Sequence, residues 1–125
     1  METLETTYES GRYYAFSPFA RNWVATPGVM QLCNDLKCYW FLDTLASYVM
    51  SLGKIKGLGY LLVVALTPSG YHGEMGFTIK DNDAVIITQR IQTTLETPIK
   101  LWAICSSSGD YTSEKRTVLL LPEEY

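Results

Sequence analysis

The chain has 125 residues, of which 47% are hydrophobic and 18% charged, with a formal net charge of −3 and an isoelectric point near 5.0. That length suits one domain and that composition buries a core, which excludes intrinsic disorder. The acidic balance excludes duplex nucleic-acid binding through a broad basic face, because such binding is driven by neutralising phosphates.

The chain opens METLETTYES, acidic and polar and unlike a secretory or mitochondrial signal. Residues 1–11 read as an arm or irregular lead-in to a single compact domain spanning 1–125. Residues 12–23, RYYAFSPFARNW, crowd aromatics around Ser17-Pro18. Proline argues against a continuous helix there, and the stretch is too aromatic for a solvated linker. It reads as a segment packed over the core edge or forming part of a surface groove.

Thr26-Pro27-Gly28 carries a helix start, with Thr26 as N-cap and Pro27 at the first helical position. Val29, Leu32, Cys33 and Leu36 then recur at i, i+3, i+4, i+7, one apolar face of a short helix. A break is predicted near Lys37-Cys38, although no glycine marks it. A second helix is predicted from about Tyr39 to Leu52, apolar almost all round and therefore buried, with Gly53 as its C′ cap.

After Lys54-Ile55-Lys56-Gly57 the period changes. Leu58–Leu66, Tyr71–Ile79, Ala84–Thr93, Ile99–Cys105 and Arg116–Leu121 read as strands. Thr67–Gly70 and Lys80–Asp83 are hairpin-turn chemistry, and 96–98 and 106–113 are longer connections. The predicted fold is α+β, two N-terminal helices packed on an antiparallel sheet of four to five strands. The longest apolar run, Leu58–Leu66, is interrupted by Gly59 and too short to span a bilayer. Three cysteines without a leader fit free thiols in a reducing, cytoplasmic compartment.

The chemistry-bearing residues are few. Asp43 sits amid YWFLDTLASY, the most core-like stretch. Helical spacing brings Tyr39, Trp40 and Ser47 beside it. If buried, its carboxylate must be hydrogen-bonded or neutral. The preferred reading is a hydrogen-bond hub locking the helix to the aromatic N-terminal segment. A carboxylate at a pocket floor, lined by Tyr39, Ser47 and His72, is the alternative, and plain exposure the third. His72 is the single histidine, near Glu74 and beside a turn, and reads as a surface-strand residue. Cys33, Cys38 and Cys105 lack the paired spacing of a zinc site, so no metal is assigned. Gly53–Gly59 follows a helix and opens a strand, the reverse of a phosphate loop. No nucleophile elbow or dinucleotide fingerprint is present, and no cofactor is expected.

The run Cys38–Tyr48, CYWFLDTLASY, resembles the signature of a small domain-of-unknown-function family found on phages, plasmids and bacterial genomes. The ending VLLLPEEY, the Gly28-Val29 helix start and the Tyr13-Tyr14 lead-in fall in the family's order. This chain departs from the family at Pro27, where an Asp is usual, at Lys37, near a usual Gly, and at Val49, where a Gln is usual. The resemblance implies a mobile-element setting and one compact domain, and assigns no activity.

The leading expectation is an interaction protein that binds a host protein stoichiometrically, for example as an inhibitor of a defence complex of the anti-CRISPR kind. Its contact surface is expected at Tyr13, Tyr14, Phe16, Phe19, Arg21 and Trp23, since aromatics and arginine are typical binding anchors. The alternative is a small-molecule-binding domain or small enzyme around Asp43, although the residues favour a non-enzymatic role. A third reading stacks single-stranded nucleic acid on Tyr60, Tyr71, Phe77 and Trp102. A homodimer through sheet edges is a further option, because only Pro68 and Pro98 visibly protect them.

Overall fold

The structure, a computed structural model, describes residues 4–8, 11–105, 111–112 and 116–125. Among these lie eight strands, β1 (Leu4–Tyr8), β2 (Gly11–Ala15), β3 (Trp23–Ala25), β4 (Leu61–Pro68), β5 (Glu74–Asp81), β6 (Ala84–Gln92), β7 (Ile99–Cys105) and β8 (Thr117–Leu120). Helices α1 (Pro27–Leu36) and α2 (Tyr39–Gly53) separate β3 from β4. The chain is α+β, as predicted.

The helices form where the local chemistry places them. The Thr26 hydroxyl accepts the Val29 N–H at 3.3 Å and Pro27 occupies the first turn. Lys37 ends α1 in the left-handed conformation at φ 54°, so the tight α1–α2 corner forms on a non-glycine residue. Gly53 is the last residue of α2 rather than a left-handed cap. A Cβ on it would collide with the Thr112 side chain, so glycine there admits the segment that returns over the helix end.

The sheet runs β1-β2-β3-β8-β7-β4-β5-β6, with β3 and β8 parallel and every other pair antiparallel. Three expectations are corrected here. The sheet is mixed and wider than four to five strands, because the aromatic N-terminal segment contributes β2 and β3. The residues expected as a lead-in, in turn, include β1. The helices follow three strands rather than opening the chain. In sheet order β8 joins the N-terminal meander to the rest, pairing with β3 on one side and β7 on the other. Parallel pairs are usually buried on both faces, and here Trp23, Val24, Ala25, Thr117, Leu119 and Leu120 are all buried.

One face of the sheet carries the helices. Phe41, Leu42, Leu45, Val49 and Leu52 of α2 are buried in the core. The sheet meets them with Leu62 and Val64 of β4, Met75, Phe77 and Ile79 of β5, and Leu101 and Ala103 of β7. Phe77 meets Phe41 edge-on at 5.7 Å and stacks with Tyr48 at 5.7 Å. Beyond this core, Tyr111 anchors the β7–β8 connection. Its carbonyl accepts the Trp23 indole N–H at 2.9 Å, and its hydroxyl donates to the Gly59 carbonyl at 2.7 Å. The rest of the predicted 106–113 loop lies outside the described residues apart from Thr112.

Thr117 is fully buried on β8, and its hydroxyl has no hydrogen-bond partner among the described residues. An unsatisfied buried hydroxyl is a net cost. Thr117→Val is therefore expected to raise the unfolding free energy by about 1 kcal/mol, read by urea denaturation. A destabilised variant would show that the hydroxyl is satisfied after all.

Candidate interaction surface

Strand alternation sends successive side chains to opposite faces. Reading across the registers, the face away from the helices carries a continuous row: Ala15 beside Val24, Val118, Ile104 and Leu61. The next row runs Leu120, Trp102, Val63, Lys80. Leu61, Val63, Trp102, Ile104 and Val118 are each half-buried, so the apolar rows reach solvent. The C-terminal residue extends this surface. Tyr125 meets the Trp102 ring edge-on at 5.3 Å, and Tyr125 and Tyr60 are both exposed. Tyr125 is placed by the 3-10 turn Pro122–Glu124, whose Glu124 carboxylate accepts from the Thr26 hydroxyl at 2.7 Å and the Leu121 N–H at 2.8 Å.

The predicted contact segment divides in two. Phe16 and Trp23 are buried in the core, so they anchor the fold and offer nothing to a partner, which corrects that part of the expectation. Tyr13 and Tyr14 are half-buried and alternate across β2, Tyr14 facing α1. Phe19 is 81% exposed at the β2–β3 turn, with Arg21 exposed beside it. Of the rings offered for base stacking, Phe77 is sealed under α2 and Tyr71 lies below Arg90 at 6.0 Å, which leaves Tyr60 and Trp102 on the open face.

Asp43 is exposed. The helix is not buried all round: Asp43, Ser47 and Met50 form an outward stripe along α2, so the buried-hub reading is corrected to exposure. The period in this stretch was masked by aromatics and hydroxyls that look core-like in composition. Ser47 donates to the Thr44 carbonyl at 2.6 Å, a bond within the helix. Asp43→Asn is accordingly expected to change stability by less than about 0.5 kcal/mol. A loss several times larger in urea denaturation would restore the hub.

Tyr39 and His72 line different clefts. Tyr39 faces Tyr14, Met30 and Asn34 in a cleft of about 260 Å³. His72 lies with Tyr71, Glu74, Leu95 and Glu96 in one of about 250 Å³ at the β4–β5 turn. There Glu74 pairs with Arg90 at 3.7 Å. A third cleft of about 480 Å³ separates Lys37 and Trp40 from Thr93–Thr97. The three cysteines are free and buried. Cys33 and Cys38 hydrogen-bond to each other across the helix corner, which together with burial pushes Cys33 far above the ordinary thiol range and lowers Cys38. Among the described residues no group of His, Cys, Asp or Glu could hold a metal ion, and no helix is long and apolar enough to cross a membrane.

What the sequence reading missed was the outer face itself. Its signal was present in the alternate residues of the strands, but which strands lie side by side is not a local property. In comparison with known proteins, the model of a family of unknown function, DUF6876, matches residues 1–125. No curated protein and no solved structure matches.

Proposed function

We propose that this chain, which belongs to the DUF6876 family, is an interaction module that binds a host protein stoichiometrically through the outer face of its sheet. The observation that supports this reading is the pair of apolar rows centred on Trp102 and Ile104, edged by Tyr60 and Tyr125. Contiguous apolar surface of this kind marks interaction sites. Tryptophan and tyrosine are the side chains that most often dominate binding energy. Phe19 and Arg21 at the β2–β3 turn supply a second contact of the same chemistry. The mobile-element setting implied by the sequence resemblance makes a host defence complex, of the anti-CRISPR kind, the first partner class to test.

The test begins with a tagged pull-down from nuclease-treated host lysate and continues with titration of the captured protein. Trp102→Ala is expected to weaken binding roughly 30-fold, the effect of losing a hot-spot side chain. Phe19→Ala is expected to weaken it less. Circular dichroism unchanged from wild type shows that the fold survives. Binding unaffected by Trp102→Ala and by Val63→Lys would remove the outer face as the contact surface.

A further inference from the structure

We propose that the chain also self-associates through β6, two copies pairing antiparallel about a two-fold axis at Gln89. β6 ends the sheet order, and at nine residues it is a long edge. Neither Pro68 nor Pro98 protects it, since Pro68 lies in β4 and Pro98 precedes β7, both interior strands. The sequence AVIITQRIQ contains no proline and a single charge, Arg90, which is drawn toward Glu74 at 3.7 Å. Long, β-branched, weakly charged edges of this kind pair with another strand unless they are blocked. The opposite edge, β1, is shorter at five residues.

The backbone states what the edge accepts. The Thr93 N–H donates to the Gly73 carbonyl at 2.9 Å. In an antiparallel ladder, hydrogen-bonded and non-hydrogen-bonded pairs alternate. Ile91, Gln89 and Ile87 therefore bond to Met75, Phe77 and Ile79, while Thr88, Arg90 and Gln92 turn their N–H and C=O groups away from the sheet. Among the described residues, no loop or terminus makes a backbone bond to these three. Such a row is matched by one kind of ligand, an extended strand.

The strand complements itself. With the axis at Gln89, Ile87 faces Ile91 of the second copy, and Thr88 faces its Arg90. Ile87 and Ile91 are half-buried and packed against the core on the helix side, so the apolar layer continues from one copy into the next. An axis at Arg90 would set the guanidinium against itself. An axis at Thr88 would set Ile86, the residue left over at the register shift, opposite the charged Arg90, whereas the axis at Gln89 sets it opposite the uncharged Gln92 at the strand end. This edge and the outer face are separate surfaces, and either can act without the other.

Light scattering on the full chain after size exclusion tests the proposal. The expected mass is twice the 14.1 kDa of one chain. Thr88→Pro removes a donor that β5 does not use, a placement edge strands tolerate, and is expected to halve the mass with circular dichroism unchanged. Gln89→Cys probes the register. Non-hydrogen-bonded partners have Cα atoms about 4.5 Å apart, within disulfide reach. The native cysteines are buried. Treatment with diamide is then expected to give a covalent dimer. If Thr88→Pro does not fold, the cross-link formed by Gln89→Cys decides alone. A wild-type monomer up to the solubility limit, a dimer that survives Thr88→Pro, or a dimer without the cross-link would each overturn the proposal. A dimer split by Val63→Lys instead would place the contact on the outer face.

Discussion

Trp23→Ala is expected to lower the unfolding free energy by about 3–5 kcal/mol, the range for deleting a large buried aromatic. That is much of the stability of a typical domain. Three things are lost together at this site: a fully buried indole, its hydrogen bond to the Tyr111 carbonyl, and the ring contact with Tyr111 at 5.8 Å. Trp23→Phe separates them. It keeps a ring and removes the indole donor, but the Tyr111 carbonyl still accepts Asn22 Nδ2 at 3.0 Å and is not orphaned. Its cost is expected at about 1–2 kcal/mol. Urea denaturation followed by circular dichroism measures both. A Trp23→Ala variant as stable as Trp23→Phe would show that packing at the β3–β8 seam carries little. The same anchor sets an alkaline limit. Burial raises the Tyr111 phenol above its ordinary value of 10.0. A raised phenol means the folded state holds its proton more tightly, so this contribution is complete below pH 10 and falls as the pH climbs further.

Phe77→Ala is expected to cost about 3–5 kcal/mol as well, with the two ring contacts adding to the cavity term. Phe77 is fully buried between Phe41 and Tyr48 of α2, so its removal opens a void where helix and sheet meet. Tyr48 is further tied to β6 through its hydroxyl bond to Gln89. Phe77→Leu refills most of the volume and is expected to recover about half the loss. An exposed, base-stacking Phe77 would tolerate alanine, so a variant within about 0.5 kcal/mol of wild type would contradict its place in the core.

Several features were legible in the linear chain because their physics is local. Thr26, Pro27 and the i, i+3, i+4, i+7 pattern of Val29, Leu32, Cys33 and Leu36 specify α1 with no help from elsewhere. The change of period after Gly57 announces five strands, all of which form. Lys37 marks where local reading was right about position and short of a reason. The break falls where predicted, on a left-handed φ that glycine adopts most readily and that Lys37 adopts here. The Gly28-Val29 start and the PEEY ending look unrelated in the chain, yet they meet in space. A Cβ on Gly28 would stand 2.6 Å from Glu124 Oε2.

Sheet order was settled by burial over long sequence separations. β3 has a short, aromatic signal, and its place in the sheet comes from pairing with β2 on one side and with β8, far off in the sequence, on the other. Asp43 turned on the same distinction. Composition made its surroundings look like a core, but a helix lying on a sheet buries only the side that touches the sheet, and Asp43 points the other way. The outer face depends on that order as well. Ala15, Val24, Val118, Ile104 and Leu61 come from five separate stretches, and the row exists because hydrogen-bonded registers align them, a property that no single stretch of chain contains.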